Sequence, residues 1–285
     1  MIATRTIALT CVAMIAFAAN SILCRMALGA ELIDAASFTT IRASSGALML
    51  CAIILLRHGS PVPDRASWMT AAMLFAYMIF FSFAYTSLTT GTGALILFGM
   101  VQLTMFVAGL RSGERFSPIA WSGLALAVCG LVYLVSPGLT APDPAGAVLM
   151  ALSGMAWGFY SLLGRGMGDA LKTAARSFTG AVPMTAAVSL LFLAQADASA
   201  PGVALAVLSG AITSALGYVI WFAALPGLSA TGAATVQLVV PALAAIGGIL
   251  LLSEPLTLRL VLASIATLGG VAIVLMQRDK GRARS

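Results

Sequence analysis

The sequence has little charge for its length. Only 8% of its 285 residues are charged, with nine acidic and 15 basic side chains, whereas 61% are hydrophobic and the mean hydropathy is +1.05. So few polar groups cannot cover a water-soluble globule of this size, which predicts an integral membrane protein. The net charge of +6 does not indicate nucleic-acid binding, because the basic residues lie between apolar segments and not along one face.

Acidic residues and histidine are absent from the depth of the apolar segments. The only histidine, His58, stands at the end of one of them. Pumps and proton-coupled carriers commonly keep a carboxylate or a histidine in mid-membrane, so we expect no buried carboxylate relay for protons. Paired carboxylates, a Cys–His dyad, an H-E-x-x-H motif and a Gly-rich phosphate loop are also missing, which predicts that the protein is not an enzyme.

The four cysteines do not form a recognisable framework. Each lies inside an apolar run, and no two have C-x-x-C spacing. They are typical of small buried residues, so we predict neither disulfides nor a metal site, and no cofactor.

Ten apolar segments have about the 20 residues that a helix needs to cross a bilayer. Ser117-Pro118 and Thr257 predict the first residues of two of them. The first segment ends in a pattern that returns in the middle of the chain, so we interpret it as a transmembrane helix and not as a cleaved signal peptide. The predicted spans are 6–28, 34–56, 67–88, 91–110, 118–135, 145–164, 172–194, 202–224, 230–251 and 258–276.

The sequence repeats itself at an offset of 140 residues. The stretch from Asn20 to Arg25 returns as Tyr160 to Arg165, and Glu114 returns as Glu254. Repetition over most of a chain indicates one structural unit used twice. Both glutamates stand close to predicted helix N-termini, where a negative charge is favoured.

The two copies are separated by a stretch rich in Pro and Gly at 136–144. We therefore predict a first five-helix repeat at 1–139 and a second at 140–285. Since five is odd, the second repeat must cross the membrane upside down relative to the first. The fold class is thus an all-α integral membrane protein of ten transmembrane helices in two inverted repeats, an architecture of transporters with a binding site near the midplane.

Lysine and arginine predict the orientation. With a cytoplasmic N-terminus, 12 of the 15 basic residues fall on the cytoplasmic side, and only Arg25, Arg42 and Arg259 fall toward the other side. Positive residues concentrate on the cytoplasmic side of membrane proteins. Ten spans return the C-terminus to that side, so both termini are expected in the cytoplasm.

Arg42 is the most conspicuous charge inside a predicted span. At the helical rise it lies about 12 Å beyond Asp34, on a face with Thr39 and Ser45. One interpretation is a cation that faces a cavity and meets an anionic or zwitterionic substrate. The other is an arginine that snorkels outward or bonds to Asp34, Glu31 or a free carbonyl. Both stay open at this point.

Asn20, Gln102 and Gln237 are the neutral polar residues set deepest in their spans. Such groups need partners in lipid, so they face either another helix or a wet cavity. We favour the cavity because the spans that hold the two glutamines contain residues at which a helix can bend. The hinge candidates are Gly99 in the fourth span and Pro241 and Gly247 in the ninth.

Aromatic residues mark a second group of candidates. Trp157 lies too deep in its span for an interfacial belt, and Tyr160 follows one turn later. Tyr77, Phe81 and Tyr85 recur every four residues and form a stripe along one helix. Such a stripe commonly serves helix packing, so Tyr77, near mid-depth, is the better candidate for a cavity.

Several of these motifs together resemble one family. The chain has Phe17-x-x-Asn20-Ser21-x-x-x-Arg25 and a Gly-Glu turn before the fifth span, with copies of both in the second half. They are similar to the EamA-type drug/metabolite transporter superfamily, and the likeness covers nearly the whole chain. Val182 stands where the first repeat has Arg42, so any role carried over to this arginine rests on one copy.

The resemblance implies an exporter in the bacterial inner membrane that works by alternating access. The members it resembles most export aromatic amino acids, which implies phenylalanine, tryptophan, tyrosine and related compounds as substrates. The expected partners are this solute and the lipid bilayer, with no nucleic acid, and the sequence is compatible with a monomer. The predicted substrate-binding residues are Asn20, Arg42, Tyr77, Phe81, Gln102, Trp157, Tyr160 and Gln237.

Three other functions stay open. One is broad-specificity efflux of drugs or metabolites, which is weaker for cations because no deep carboxylate would attract them. The second is export of other amino acids. The third is a scaffold that transports nothing, which would have no need of central polar residues.

Overall fold

The structure is a computed structural model that describes residues 4–58, 68–113, 116–164, 169–228 and 235–282. These ranges are almost entirely helical, and within them the only β-contact is an isolated bridge between Ile33 and Ala198. Glu114 and Arg165, two positions of the sequence repeat, lie outside the described residues.

In the described residues, seven helices precede the eighth span. They are α1 (Thr4–Gly29), α2 (Ala35–His58), α3 (Trp68–Ala84), α4 (Thr90–Arg111), α5 (Pro118–Val135), α6 (Pro144–Gly164) and α7 (Ala170–Leu191). The eighth span consists of α8 (Ala200–Val207), a π-helical stretch (Leu208–Leu216) and α9 (Gly217–Ala224), and it is followed by α10 (Val239–Leu252) and α11 (Leu258–Arg282). Short 3₁₀ turns occupy Leu193–Gln195 and Leu225–Gly227.

The helices correspond to the ten predicted spans. Within the described residues, seven are long and apolar enough to cross a membrane, with Ala200–Trp221 taken as one. The helices α3 and α10 are apolar but shorter, and α7 carries Lys172 and Arg176. The all-α membrane fold is therefore confirmed.

Two predicted spans differ from the structure. The third span was expected to reach residue 88, but α3 ends at Ala84 and a turn follows. The predicted start of the ninth span, residue 230, lies outside the described residues; residues 235–236 are helical, and a turn at 237–238 separates them from α10, which begins at Val239. Pro241 explains this interruption, because a proline fits the first turn of a helix but removes a hydrogen bond further along it.

Capping side chains fix several helix starts where the sequence predicted them. Ser117 Oγ accepts a hydrogen bond from the Ala120 amide at 3.2 Å. Thr257 Oγ1 accepts one from the Leu260 amide at 3.1 Å. Both side chains satisfy an amide that has no partner within its own helix.

The helices of the two halves interleave. The helix α1 packs on the eighth span and on α10, while α6 packs on α3 and α4. Further pairs that join the halves include α2 with the eighth span, α2 and α3 with α7, α4 with α10, and α5 with α11. In the last pair a Cβ atom on Gly123 would lie 2.7 Å from the Gly270 carbonyl oxygen. Small residues thus let these two backbones approach closely.

Candidate functional site

A small cavity lies where α1, α3, α4, α6 and the eighth span meet. Its volume open to the centres of water molecules is about 20 Å³, which is room for about one water. Six of its lining residues are aromatic: Phe17, Tyr77, Phe81, Phe98, Trp157 and Tyr218. Four are polar: Asn20, Ser21, Thr213 and Ser214.

Five of these aromatic side chains, all except Phe98, form one continuous cluster. The Trp157 ring centroid lies 4.8 Å from that of Tyr77 and 5.1 Å from that of Tyr218. Tyr218 meets Phe17 edge to face at 6.0 Å, and Tyr77 lies 5.4 Å from Phe81. These distances are those of attractive aromatic pairs. The cluster draws on four different spans, so any rearrangement of the helices changes the shape of the cavity.

The polar residues converge on Asn20. Its Oδ1 accepts hydrogen bonds from the hydroxyls of Ser209 at 2.7 Å, Thr213 at 3.3 Å and Ser214 at 3.4 Å. Asn20 itself is only 5% exposed. The bonds join α1 to the π-helical stretch, so Asn20 both connects two helices and lines the cavity.

The π-helical stretch explains why three hydroxyls reach one oxygen. Its wider turn brings residues five apart, such as Ser209 and Ser214, onto the same side of the helix. A side chain at Gly210 would overlap the Arg42 carbonyl oxygen and Ser45 Oγ. This glycine therefore lets α2 lie directly against the stretch. Sequence reasoning missed the three hydroxyl residues; their clustering around a glycine in an apolar run was the available signal.

Arg42 lies directly behind the wall of the cavity. Its Nη2 donates to the Tyr77 hydroxyl at 3.2 Å, and its Nε donates to Ser214 Oγ at 3.3 Å. Its Cζ lies 5.0 Å from the centre of the Phe81 ring, within range of a cation–π contact. The side chain is fully buried, so it does not snorkel.

The acidic residues near Arg42 in sequence are engaged elsewhere. Asp34 Oδ1 accepts from the amides of Ala36 at 3.0 Å and Ser37 at 2.9 Å, so it caps α2. Its Oδ2 accepts from the Asp197 amide at 3.2 Å. Glu31 is exposed. The contacts of Arg42 thus come from residues of the cavity wall and not from the end of its own helix.

The structure brings together half of the predicted substrate-binding residues. Asn20, Tyr77, Phe81 and Trp157 line the cavity, and Arg42 touches two of its lining residues. The remaining three lie outside the lining. Tyr160 is buried with its ring 5.6 Å from Trp157, Gln102 is half-buried one turn beyond Phe98, and Gln237 lies in the turn before α10.

The predicted hinges differ in their surroundings. The helix α4 continues without interruption through Gly99, where a Cβ would lie 3.0 Å from Leu131. A Cβ on Gly247 would overlap the side chain of Ile22. Both glycines serve close packing here. Pro241 lies in the first turn of α10, directly after the turn at 237–238. Bending at these residues during transport stays a prediction.

A multi-pass helical membrane protein with a central cavity, built from interleaved halves, belongs to the class of membrane transporters. More specifically, the chain belongs to the EamA-like transporter family, which matches it twice, over residues 4–136 and 144–276. The family is one of transporters and not of enzymes, as the sequence predicted. The division at residue 139 stays a prediction.

Relatives cover most of the chain. It is 52% identical over 279 residues to the uncharacterized protein PA1977 of Pseudomonas aeruginosa, with 98% of this chain and 97% of that protein aligned. It is 28% identical over 222 residues to an uncharacterized transporter of Archaeoglobus fulgidus, with 72% and 75% aligned. It is 25% identical over 196 residues to the uncharacterized inner membrane transporter YedA of Escherichia coli K12, with 67% and 61% aligned.

A solved crystal structure has the same fold. It superposes with a TM-score of 0.69 at 17% sequence identity, over 98% of this chain and 100% of the other. Similarity at this level of identity concerns the fold alone.

Proposed function

We propose that the protein is a secondary transporter that exports small amphipathic metabolites across the bacterial inner membrane by alternating access. The preferred substrates are aromatic amino acids, such as phenylalanine, tryptophan and tyrosine, and related compounds. One observation carries the proposal: the same cavity is lined by a cluster of aromatic rings and by Asn20 with two of the hydroxyls that converge on it, those of Thr213 and Ser214. Rings accommodate an apolar side chain, and the polar groups hold the other end.

The cavity has to widen before it can hold such a solute. Sites for small molecules commonly measure about 300–1,000 Å³, whereas this one offers about 20 Å³ to the centres of water molecules. The structure therefore corresponds to a closed state. Because the rings come from four spans, separation of α3 from α6, or of α1 from the eighth span, would enlarge the cavity.

The helix packing supports alternating access between inverted repeats. The main helix pairs are preserved when each helix of the first half is exchanged with its counterpart in the second. Under this exchange, the contact of α3 with α6 corresponds to the contact of the eighth span with α1. The contact of α4 with α6 corresponds to that of α10 with α1. Two equivalent arrangements, open to opposite sides, follow naturally from such symmetry. With five spans in each half, the repeats have opposite orientations and both termini lie in the cytoplasm.

The location and direction rest on resemblance. The name of the Escherichia coli relative places that protein in the inner membrane, which supports the same location here. Export of aromatic amino acids rests on the likeness of the sequence to the bacterial exporter YddG. Efflux of cationic drugs fits less well, because Arg42 places a positive charge beside the cavity wall.

Transport by purified protein in liposomes tests the proposal. We expect uptake of radiolabelled phenylalanine and tryptophan to exceed that of threonine or a cationic dye, with and without a proton gradient. Trp157→Ala should reduce uptake strongly and Trp157→Phe only slightly, since a ring remains. Trp121→Phe, at an exposed tryptophan, is the control. Movement of threonine or the dye without the aromatic amino acids would refute the substrate assignment.

A further inference from the structure

The positive charge of Arg42 is not compensated by any carboxylate among the residues that the structure describes. The ion pair found in those ranges joins Arg25 to Glu254, at 3.4 Å. Asp34, eight residues before Arg42, is occupied by backbone amides. An arginine keeps its proton in a protein, so it cannot avoid the energetic cost of burial by becoming neutral. A fully buried and unpaired cation is costly, and the fold keeps one here.

The guanidinium also has an unused donor. Nη2 and Nε bond to Tyr77 and Ser214, but Nη1 is buried without a hydrogen-bond partner in the described part of the chain. Buried donors are nearly always satisfied, so an unsatisfied one requires an explanation. The rings of Tyr77 and Phe81, 5.4 Å and 5.0 Å from Cζ, offset part of the charge but accept no conventional hydrogen bond from Nη1.

This charge lies one side chain away from the cavity. Tyr77, Phe81 and Ser214, the residues that surround the guanidinium, all line it. Rotation of the Tyr77 or Ser214 side chain would expose the guanidinium to a solute in the cavity, and the low dielectric of a buried site strengthens the attraction. An anion is the one class of ligand that would satisfy both the charge and the donor.

We propose that the cavity contains an anion subsite in which Arg42 neutralises the carboxylate of the transported solute and donates to it from Nη1, with the hydroxyls of Tyr77 and Ser214 as further contacts. The inference rests on the proposed function and names the polar end of the amphipathic substrate. Chloride carries the same charge as this carboxylate and is a second anion that fits the subsite. The subsite makes the protein a carrier of carboxylates, with or without an amino group, and excludes simple amines.

Binding to purified wild-type protein tests the inference without any variant. Intrinsic tryptophan fluorescence is titrated with phenylalanine, phenylpropionate, phenethylamine, alanine and chloride. Phenylpropionate keeps the ring and the carboxylate, whereas phenethylamine keeps the ring and loses the carboxylate. We expect phenethylamine to bind at least tenfold more weakly than phenylpropionate, and chloride to compete with phenylpropionate. Equal affinity for phenethylamine and phenylpropionate would overturn the subsite, and so would chloride that binds without competing with phenylpropionate.

The same panel separates this inference from the proposed function. Equal binding of alanine and phenylalanine, with phenethylamine excluded, would retain the anion subsite and refute the aromatic preference. Strong binding of all three ring compounds would retain the aromatic preference and refute the subsite. Arg42→Gln should weaken the binding of phenylpropionate at least tenfold and leave the binding of phenethylamine unchanged. Arg42→Lys should restore part of the lost affinity. Arg57→Gln, at an exposed arginine on the same helix, is the matched control.

Discussion

Arg25 and Glu254 form an ion pair, with Nε and Oε1 3.4 Å apart, that joins α1 to the segment after α10. The Glu254 carboxylate also accepts the amide of Thr90, the first residue of α4, at 2.8 Å and 3.0 Å. Arg25 Nη1 donates to the carbonyls of Tyr85 and Thr86, both at 3.0 Å. The sequence predicted Glu254 near a helix N-terminus; the helix that it caps is α4 of the other repeat.

Removal of the Glu254 charge is expected to destabilise the protein. Glu254→Gln keeps the shape of the side chain but weakens its bonds to Arg25 and Thr90, so we expect a loss of roughly 1–3 kcal/mol, seen as a lower melting temperature in detergent. Arg25→Gln should act in the same direction. The double variant should lose less stability than the sum of the losses in the two single variants. Additive losses would contradict the pairing, and Glu31→Gln, at an exposed carboxylate, is the control.

Gly210→Ala is expected to separate α2 from the eighth span. The new methyl would overlap the Arg42 carbonyl oxygen and Ser45 Oγ, and backbone cannot move aside as easily as a flexible side chain. We expect a loss of roughly 1–3 kcal/mol in thermal unfolding. Gly269→Ala is the matched control, because a Cβ there meets nothing within 4 Å and alanine favours a helix. Equal melting temperatures of the two variants would contradict the close approach.

The fold could be predicted from the sequence because its signals are local. Apolar length identifies a span, and Ser117 and Thr257 mark helix starts by capping chemistry alone. The 140-residue repeat gives the number of units. Trp157 and Tyr77 were recognisable because their depth excludes an interfacial position. Depth along a helix can be read from a sequence in this way.

The direction that a side chain faces could not be predicted as well. Gln102 and Phe98 lie one turn apart on α4, yet only Phe98 lines the cavity. Ser209 and Ser214 were missed because the π-helical stretch shifts the helical phase, and an ordinary helix would not place both on one side. Gln237 was expected in mid-helix, but the turn at 237–238 removes it from the regular pattern. Each of these differences concerns the side of a helix that a residue faces, which depends on neighbouring helices.

Arg259 is expected to stabilise the contact between α5 and α11. Its guanidinium donates to the carbonyls of Leu134, Ser136 and Pro137 at the end of α5. A cation is favoured at a helix C-terminus, and a planar guanidinium can donate to several carbonyls at once more readily than an ammonium group. Because the side chain is partly exposed, Arg259→Gln should cost only about 1 kcal/mol in thermal unfolding. Arg259→Lys should recover only part of it, and Arg57→Gln should cost nothing.

Asn20→Ala and Gln102→Ala are expected to differ, although both residues are deep amides in the sequence. Loss of Asn20 Oδ1 removes the acceptor of Ser209 and Ser214, whereas Thr213 keeps its bond to the Ser209 carbonyl at 2.9 Å. Hydrogen bonds between membrane helices contribute about 0.6 kcal/mol each on average. Asn20→Ala should therefore have a slightly lower melting temperature than the wild type.

The same pair of variants separates a residue that lines the cavity from one that does not. Asn20→Ala should bind phenylalanine several-fold more weakly in the fluorescence titration, because the polar part of the cavity loses its central acceptor. Gln102→Ala should bind and transport like the wild type, since Gln102 is half-buried outside the lining. An equal loss of binding in Gln102→Ala would mean that α4 rotates when the cavity widens, which would bring this glutamine to the substrate.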